Sequence, residues 1–111
     1  MSNYPESHHP RRVRSVSYIG RDGNRYKITL GDAVKIGKKE IEDKFDFTPD
    51  HLFGTLGIVR VISFNEPLDT YTVQITDDPG DWVEIDNVIP LSDINKLPPE
   101  NRQNVIDLLH V

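Results

Sequence analysis

The sequence predicts a mainly β domain: a small antiparallel barrel with an extra N-terminal hairpin and a C-terminal helix. Three observations lead there. Short segments rich in β-branched and aromatic residues recur between Ser15 and Leu91. Turn signals separate them every ~8–12 residues, the spacing of a β-sandwich or barrel. The apolar pattern takes helical spacing only after Pro98.

Composition sets the scale. The chain has 111 residues, enough for one domain. It is 36% apolar, below the usual ~45–50%, so the core is small. There is no Cys, which excludes a disulfide framework, a thiolate metal site and a thiol nucleophile. No apolar run approaches the ~20 residues of a membrane span. The first 20 residues carry Arg11, Arg12 and Arg14 but no apolar stretch of a secretory signal. These features point to a cytoplasmic protein without a membrane partner. The net charge is −5, which weighs against tight nonspecific nucleic-acid binding, because that depends on Lys and Arg displacing phosphate counterions. The charge is unevenly placed. Residues 1–64 hold 11 Lys/Arg against 8 Asp/Glu, and residues 65–111 hold Lys96 and Arg102 against 10 Asp/Glu.

Residues 1–14 read as a flexible tail, with two prolines and little apolar content. His8 and His9 within it are adjacent and lack a third ligand, so they read as solvated. Residues 15–20 and 25–30 read as two strands joined by Arg21-Asp22-Gly23-Asn24. Asp-Gly between two β-forming runs is a hairpin signal, because Gly accepts positive φ and Asp tolerates it. Tyr26, Ile28 and Leu30 share one face of the second strand, and Arg25, Lys27 and Thr29 share the other. Gly31-Asp32 turns the chain into Ala33-Val34-Lys35-Ile36, with Val34 and Ile36 inward.

Residues 38–53 form an insertion whose charged start reads as a helical turn or a solvated loop; an excursion of this length in a compact domain is often functional. Gly54–Phe64 is the densest β-branched segment, and Gly57 marks a bulge or a close approach. Tyr71, Val73 and Ile75 alternate along the next strand. Asp77-Asp78-Pro79-Gly80 is a tight turn. Asp81–Asp86 is a further strand, and Asn87–Leu91 is a closing edge whose Pro90 suits that position. Residues 92–111 form a helical segment. Ser92 is a candidate cap for a short turn, and Pro99 with Glu100 opens a helix. Val105, Ile106, Leu108 and Leu109 make an apolar stripe that must pack on the barrel or on a partner.

Gly31-Asp32-Ala33-Val34-Lys35-Ile36, Gly54–Ile62, Tyr71–Ile75, Trp82-Val83 and Val88-Ile89-Pro90-Leu91 together resemble the strands of small SH3-like barrels. KOW, Tudor-like and photosynthetic electron-transfer accessory domains look like this, with a Gly-Asp-x-Val-x-Ile opening strand, a Gly-x-Val-x-x-Ile second strand, an alternating third and a closing Leu-x-Pro-like edge. The resemblance covers residues 31–91 and implies an SH3-like barrel fold; fold alone does not give function. The chain departs from it by its 38–53 insertion, where those families have a short first loop.

Candidate sites follow from side-chain chemistry. The carboxylates Asp77, Asp78, Asp81, Glu84 and Asp86 are dense but lack the order of a calcium loop, so they read as a solvated polar face. His51 is the one histidine away from the termini, and there is neither a nucleophile elbow nor a phosphate-cradling loop. The sequence therefore predicts no enzyme, no metal and no cofactor. The expected function is an adaptor that engages a protein partner through the barrel rim and the 38–53 loop. Its candidate contacts are the aromatics Phe45 and Phe47 in the loop, with Tyr71 and Trp82 as neighbours across adjacent strands. The alternative is DNA or RNA binding by a KOW-like domain through a basic path of Arg11, Arg12, Arg14, Arg21, Arg25 and Lys27.

Overall fold

The computed structural model describes residues 12–37 and 47–110. Arg11, Phe45 and the His8–His9 pair lie outside the described residues, as does the 38–46 part of the insertion. The element order is β1 (Arg12–Val13), β2 (Ser15–Ile19), β3 (Arg25–Thr29), β4 (Ala33–Ile36), a 3₁₀ turn at Asp50–Leu52, β5 (Leu56–Ile58), β6 (Val61–Asn65), β7 (Thr70–Gln74), β8 (Trp82–Glu84), a second 3₁₀ turn at Ile85–Asn87, β9 (Val88–Pro90), α1 (Ser92–Asn95) and α2 (Pro99–Leu109). The protein is mainly β, with antiparallel sheets and a C-terminal helix. Among the described residues the strands form three sheets, ordered β1-β6-β7-β8, β2-β3 and β5-β4-β9, and their ladders do not close into one continuous barrel.

β4 is the hub. It pairs antiparallel with β5 on one edge and with β9 on the other. Its Ala33, Val34 and Ile36 are fully buried. The β6–β7–β8 meander aligns Ile62, Val73 and Val83 in a single row by its register, and all three are fully buried. Val34, Ile36 and this row join Ile28, Leu52, Val59, Ile75, Ile85 and Val88 in one core. At ~25 cal/mol per Å² of apolar area, each such side chain contributes about 1.5–3 kcal/mol. Gly57 answers a close approach: a Cβ there would lie 2.9 Å from the Ile75 side chain.

Several boundaries differ from the sequence reading. Arg12 and Val13, assigned to the tail, pair with Ser63 and Ile62, because Val13 extends the Ile62 row. The Gly54–Phe64 strand breaks at Val59-Arg60, where the chain passes between sheets. The Val59 N–H there donates to the Asp32 carbonyl (2.9 Å) and the Arg60 N–H to the Gln74 carbonyl (2.8 Å). Ser92 does not cap α1; the capping position is Leu91, with no side-chain cap bond. Pro99 and Glu100 do open α2.

The apolar stripe of α2 is only partly used. Ile106 is 1% exposed, but Leu108 is 73% and Leu109 59% exposed. Polar contacts do much of the docking instead. The Arg102 guanidinium donates from Nη1 to the Gly31 carbonyl (2.9 Å), from Nη2 to the Asn95 carbonyl (3.0 Å) and from Nε to the Leu97 carbonyl (3.1 Å), and it lies 3.5 Å from Asp32. Asn95 holds the Ala33 backbone from both sides, accepting from its N–H (2.6 Å) and donating to its carbonyl (3.0 Å). No helix among the described residues is long and apolar enough to cross a membrane.

Arg102→Ala is expected to lower stability by about 2–4 kcal/mol in urea denaturation, since charge-assisted bonds are lost and three partly buried carbonyls are orphaned. Arg102→Lys is expected to recover little of this, because an ammonium cannot present a planar fork.

Candidate binding surface

The β2–β3 hairpin presents the most distinctive surface. Its turn forms because Gly23 sits at φ 85° and the Asp22 carboxylate accepts the Asn24 N–H (3.0 Å). Pairing runs from Ile19↔Arg25 to Ser15↔Thr29. Side chains alternate across a strand, so Val16, Tyr18, Tyr26 and Ile28 fall on one face and Ser15, Ser17, Ile19, Arg25, Lys27 and Thr29 on the other.

The first face is held down on the body. The Tyr18 hydroxyl donates to the Val88 carbonyl (2.5 Å), and its ring packs beside Tyr26 at 5.8 Å. Ile28 is fully buried. At the tip, the Arg21 N–H donates to the Asp86 carbonyl (2.9 Å). The Arg21 guanidinium lies 3.3 Å from Glu84 Oε2 and 3.2 Å from Asp86 Oδ2. Glu84 and Asp86, expected as a solvated face, are thus engaged with Arg21; their side chains are only 14% and 23% exposed. The Tyr26 hydroxyl donates to Asp22 Oδ2. That bond holds the Asp22 carboxyl below its usual pKa and raises the Tyr26 phenol.

The second face is open. Ser17, Ile19, Arg25 and Lys27 are all exposed, Ile19 by 59%. An open groove of about 450 Å³ is lined by Ser17, Tyr18, Ile19, Arg25, Tyr26 and Lys27.

Of the predicted aromatic contacts, Tyr71 and Trp82 fall on opposite faces of their sheet. Phe47 is half-buried beside Thr48. Tyr71 lies on the core face of its sheet, edge-on to Phe64 at 5.1 Å. Trp82 pairs with Gln74, one residue out of phase with the buried Val83, and so occupies the opposite face. Tyr71 and Trp82 are therefore not neighbours, because their positions differ in parity relative to the Val73↔Val83 pair. The returning end of the insertion is anchored by Thr48. Its buried hydroxyl accepts the Glu84 N–H (3.1 Å) and the Asn87 side-chain amide (3.1 Å).

The basic set divides. Arg25 and Lys27 share the open hairpin face. Arg12 is exposed at the edge strand β1 and Arg14 at the bend after it. Arg21 is committed to Glu84 and Asp86. Ser17 and Ile19 were missed as site residues, although a signal existed: a turn centred on Asp22 sets Ser17 opposite Lys27 and Ile19 opposite Arg25. Among the described residues no three His, Asp or Glu converge as a metal site. His51 Nε2 lies 3.3 Å from Asp81 Oδ2, with its side chain 66% exposed.

No protein-family model matches the chain, and neither a curated protein nor a solved structure does.

Burial raises the Tyr18 phenol well above its ordinary pKa of 10.0, with smaller contributions from Tyr26 and the Asp22 and Asp32 carboxylates. The folded state therefore keeps a proton that the unfolded chain releases. This contribution to stability is fully present below pH 10.0 and is lost as pH rises above it. Urea denaturation across the alkaline range is expected to show that fall, and Tyr18→Phe is expected to flatten it, leaving the smaller contribution of Tyr26.

Proposed function

We propose that this chain is a non-enzymatic binding module with an SH3-like barrel of the KOW and Tudor-like kind over residues 31–91, and that it engages a protein partner at the rim through its N-terminal hairpin. The support for the barrel reading is topological. β4 pairs with the last strand, β9, as a closed barrel requires of its first strand. A long excursion separates β4 from β5, and β6–β8 follow as a meander. The support for the binding surface is one observation: the hairpin is locked down by one face while Ser17, Ile19, Arg25 and Lys27 stand exposed on the other, beside an open groove that Tyr18 and Tyr26 also line. Ile19 supplies exposed apolar area, and the two cations stand out in a chain of net charge −5.

Protein is favoured over nucleic acid by what this face lacks. Arg21 is already neutralised by Glu84 and Asp86. Tyr18 and Tyr26 are tied by their hydroxyls to Val88 and Asp22, so neither is free to splay out as a stacking platform. Two cations would neutralise about two phosphates, a log–log salt slope near −2, which is weak.

A random-peptide display selection on the intact protein is expected to enrich binders. These are expected to be lost on the double variant Arg25→Glu/Lys27→Glu, whose melting temperature is expected to stay near that of the parent. The parent is expected to pass through a phosphate-rich column at ~50 mM salt. Retention there with steep salt dependence, or selection unaffected by the variant, would contradict this function.

A further inference from the structure

We propose that the edge of β2 accepts an extended acidic segment of the partner protein as a third strand of the hairpin sheet. The inference rests on the reading of the chain as a protein-binding module and specifies how that binding is made. Its basis is the direction of the backbone groups. At the two ends of the hairpin, the Gly20 N–H donates to the Asn24 carbonyl and the Leu30 N–H to the Arg14 carbonyl (both 2.9 Å). In an antiparallel pair, mutually bonded positions alternate with positions whose N–H and C=O point away. The even-numbered residues therefore bond within the hairpin, and the odd-numbered ones face outward. Two outward donors at the margins are satisfied: the Arg21 N–H by the Asp86 carbonyl and the Thr29 N–H by Asp32 Oδ2. Between them, no described residue bonds the outward N–H groups of Ser17 and Ile19 on β2 or of Arg25 and Lys27 on β3.

The two edges differ in chemistry. Charged residues, Lys above all, are what natural proteins place on an edge to discourage strand addition. β3 carries Arg25 and Lys27 at its outward positions. β2 carries Ser17 and Ile19, with neither charge nor proline, and the pairing of β2 with β3 is in continuous register without a bulge. β2 is thus the unprotected edge, bounded at the tip by the Arg21–Asp86 bond.

Charge and shape then select the occupant. A side chain on a strand added to β2 stands ~5 Å from its cross-strand neighbour. A residue beside Ser17 has Lys27 directly across that small serine. The lysine chain can pass over Ser17 to meet a carboxylate. A residue two positions along lies beside Ile19, whose exposed side chain favours an apolar partner. The bound segment therefore has an Asp or Glu and an apolar residue two apart on one face.

The test uses the full chain and a fluorescently labelled heptapeptide, Thr-Glu-Thr-Val-Thr-Glu-Thr, read by anisotropy. Saturable binding is expected, weakened about tenfold or more by Lys27→Glu. N-methylation of the peptide at one set of alternate amides is expected to weaken binding about tenfold, and at the other set to leave it within about twofold. Ser17→Pro, which removes an outward donor that no fold contact uses, is expected to abolish binding while the melting temperature stays near that of the parent. If Lys27→Glu weakens binding but both N-methylated sets and Ser17→Pro bind like the parent system, strand addition is wrong and the module reading stands. Absence of any peptide binding overturns the proposal here, while the display selection judges the module reading separately. A single-stranded oligonucleotide that displaces the peptide at low concentration, or a protein dimer that Ser17→Pro dissolves, would also overturn it, by assigning the edge to nucleic acid or to a second copy.

Discussion

A strand with a neighbour on each edge must have its buried backbone groups paired, because an orphaned N–H or C=O away from water costs about 1–3 kcal/mol. β4 meets that constraint along its length. Its ladder partners are β5 and β9. At one end, Asn95 and the Leu91 N–H take up the Ala33 backbone. At the other, the Ile36 N–H donates to the Thr55 carbonyl, the Ile36 carbonyl accepts from Gly54, and the Gly37 N–H donates to the Asn87 carbonyl. Satisfying four residues thus ties together chain segments on both sides of the insertion and the start of the C-terminal helices. Loop-closure cost grows only slowly with length, which lets the excursion between β4 and β5 be long once its return is fixed by Thr48 and Leu52.

The hairpin depends on that body. A two-stranded ribbon is marginal alone in water, and this one is stabilised by burying Ile28, by the Tyr18–Val88 bond and by the Arg21 bridge to Glu84 and Asp86. The two polar anchors reach β8, β9 or the turn between them. Because all act on one face and at the tip, the opposite face and the middle of each edge stay available. The surface proposed for binding is in this sense a by-product of how the hairpin is attached.

Much of this was legible in the sequence, because period-two patterning reports faces directly. The Asp22-Gly23 turn and the Tyr26/Ile28 against Arg25/Lys27 alternation gave the hairpin and its faces. The same patterning puts Val34 and Ile36 inward, and Pro99 marks the start of the last helix. What failed needed long-range information. The engagement of Glu84 and Asp86 required knowing that Arg21, more than sixty positions away in the chain, folds onto them. Tyr71 and Trp82 were set on adjacent strands, but only the Val73↔Val83 register reveals that they face opposite ways. The break at Val59-Arg60 has no local signal, since a strand that changes sheets keeps its β-branched composition. The role of Arg102 was invisible for a related reason: its acceptors are backbone carbonyls, which carry no residue identity.

Residue-resolved amide hydrogen exchange on the intact protein reads which backbone groups are bonded, in β4 and along the hairpin alike. Slow exchange is expected at Val34 and Ile36, with a two-residue alternation along the hairpin in which Val16, Tyr18, Tyr26 and Ile28 are protected and Ser17, Ile19, Arg25 and Lys27 are fast. Uniform protection across β2 would mean that its edge is already covered, with no outward donor left for an added strand.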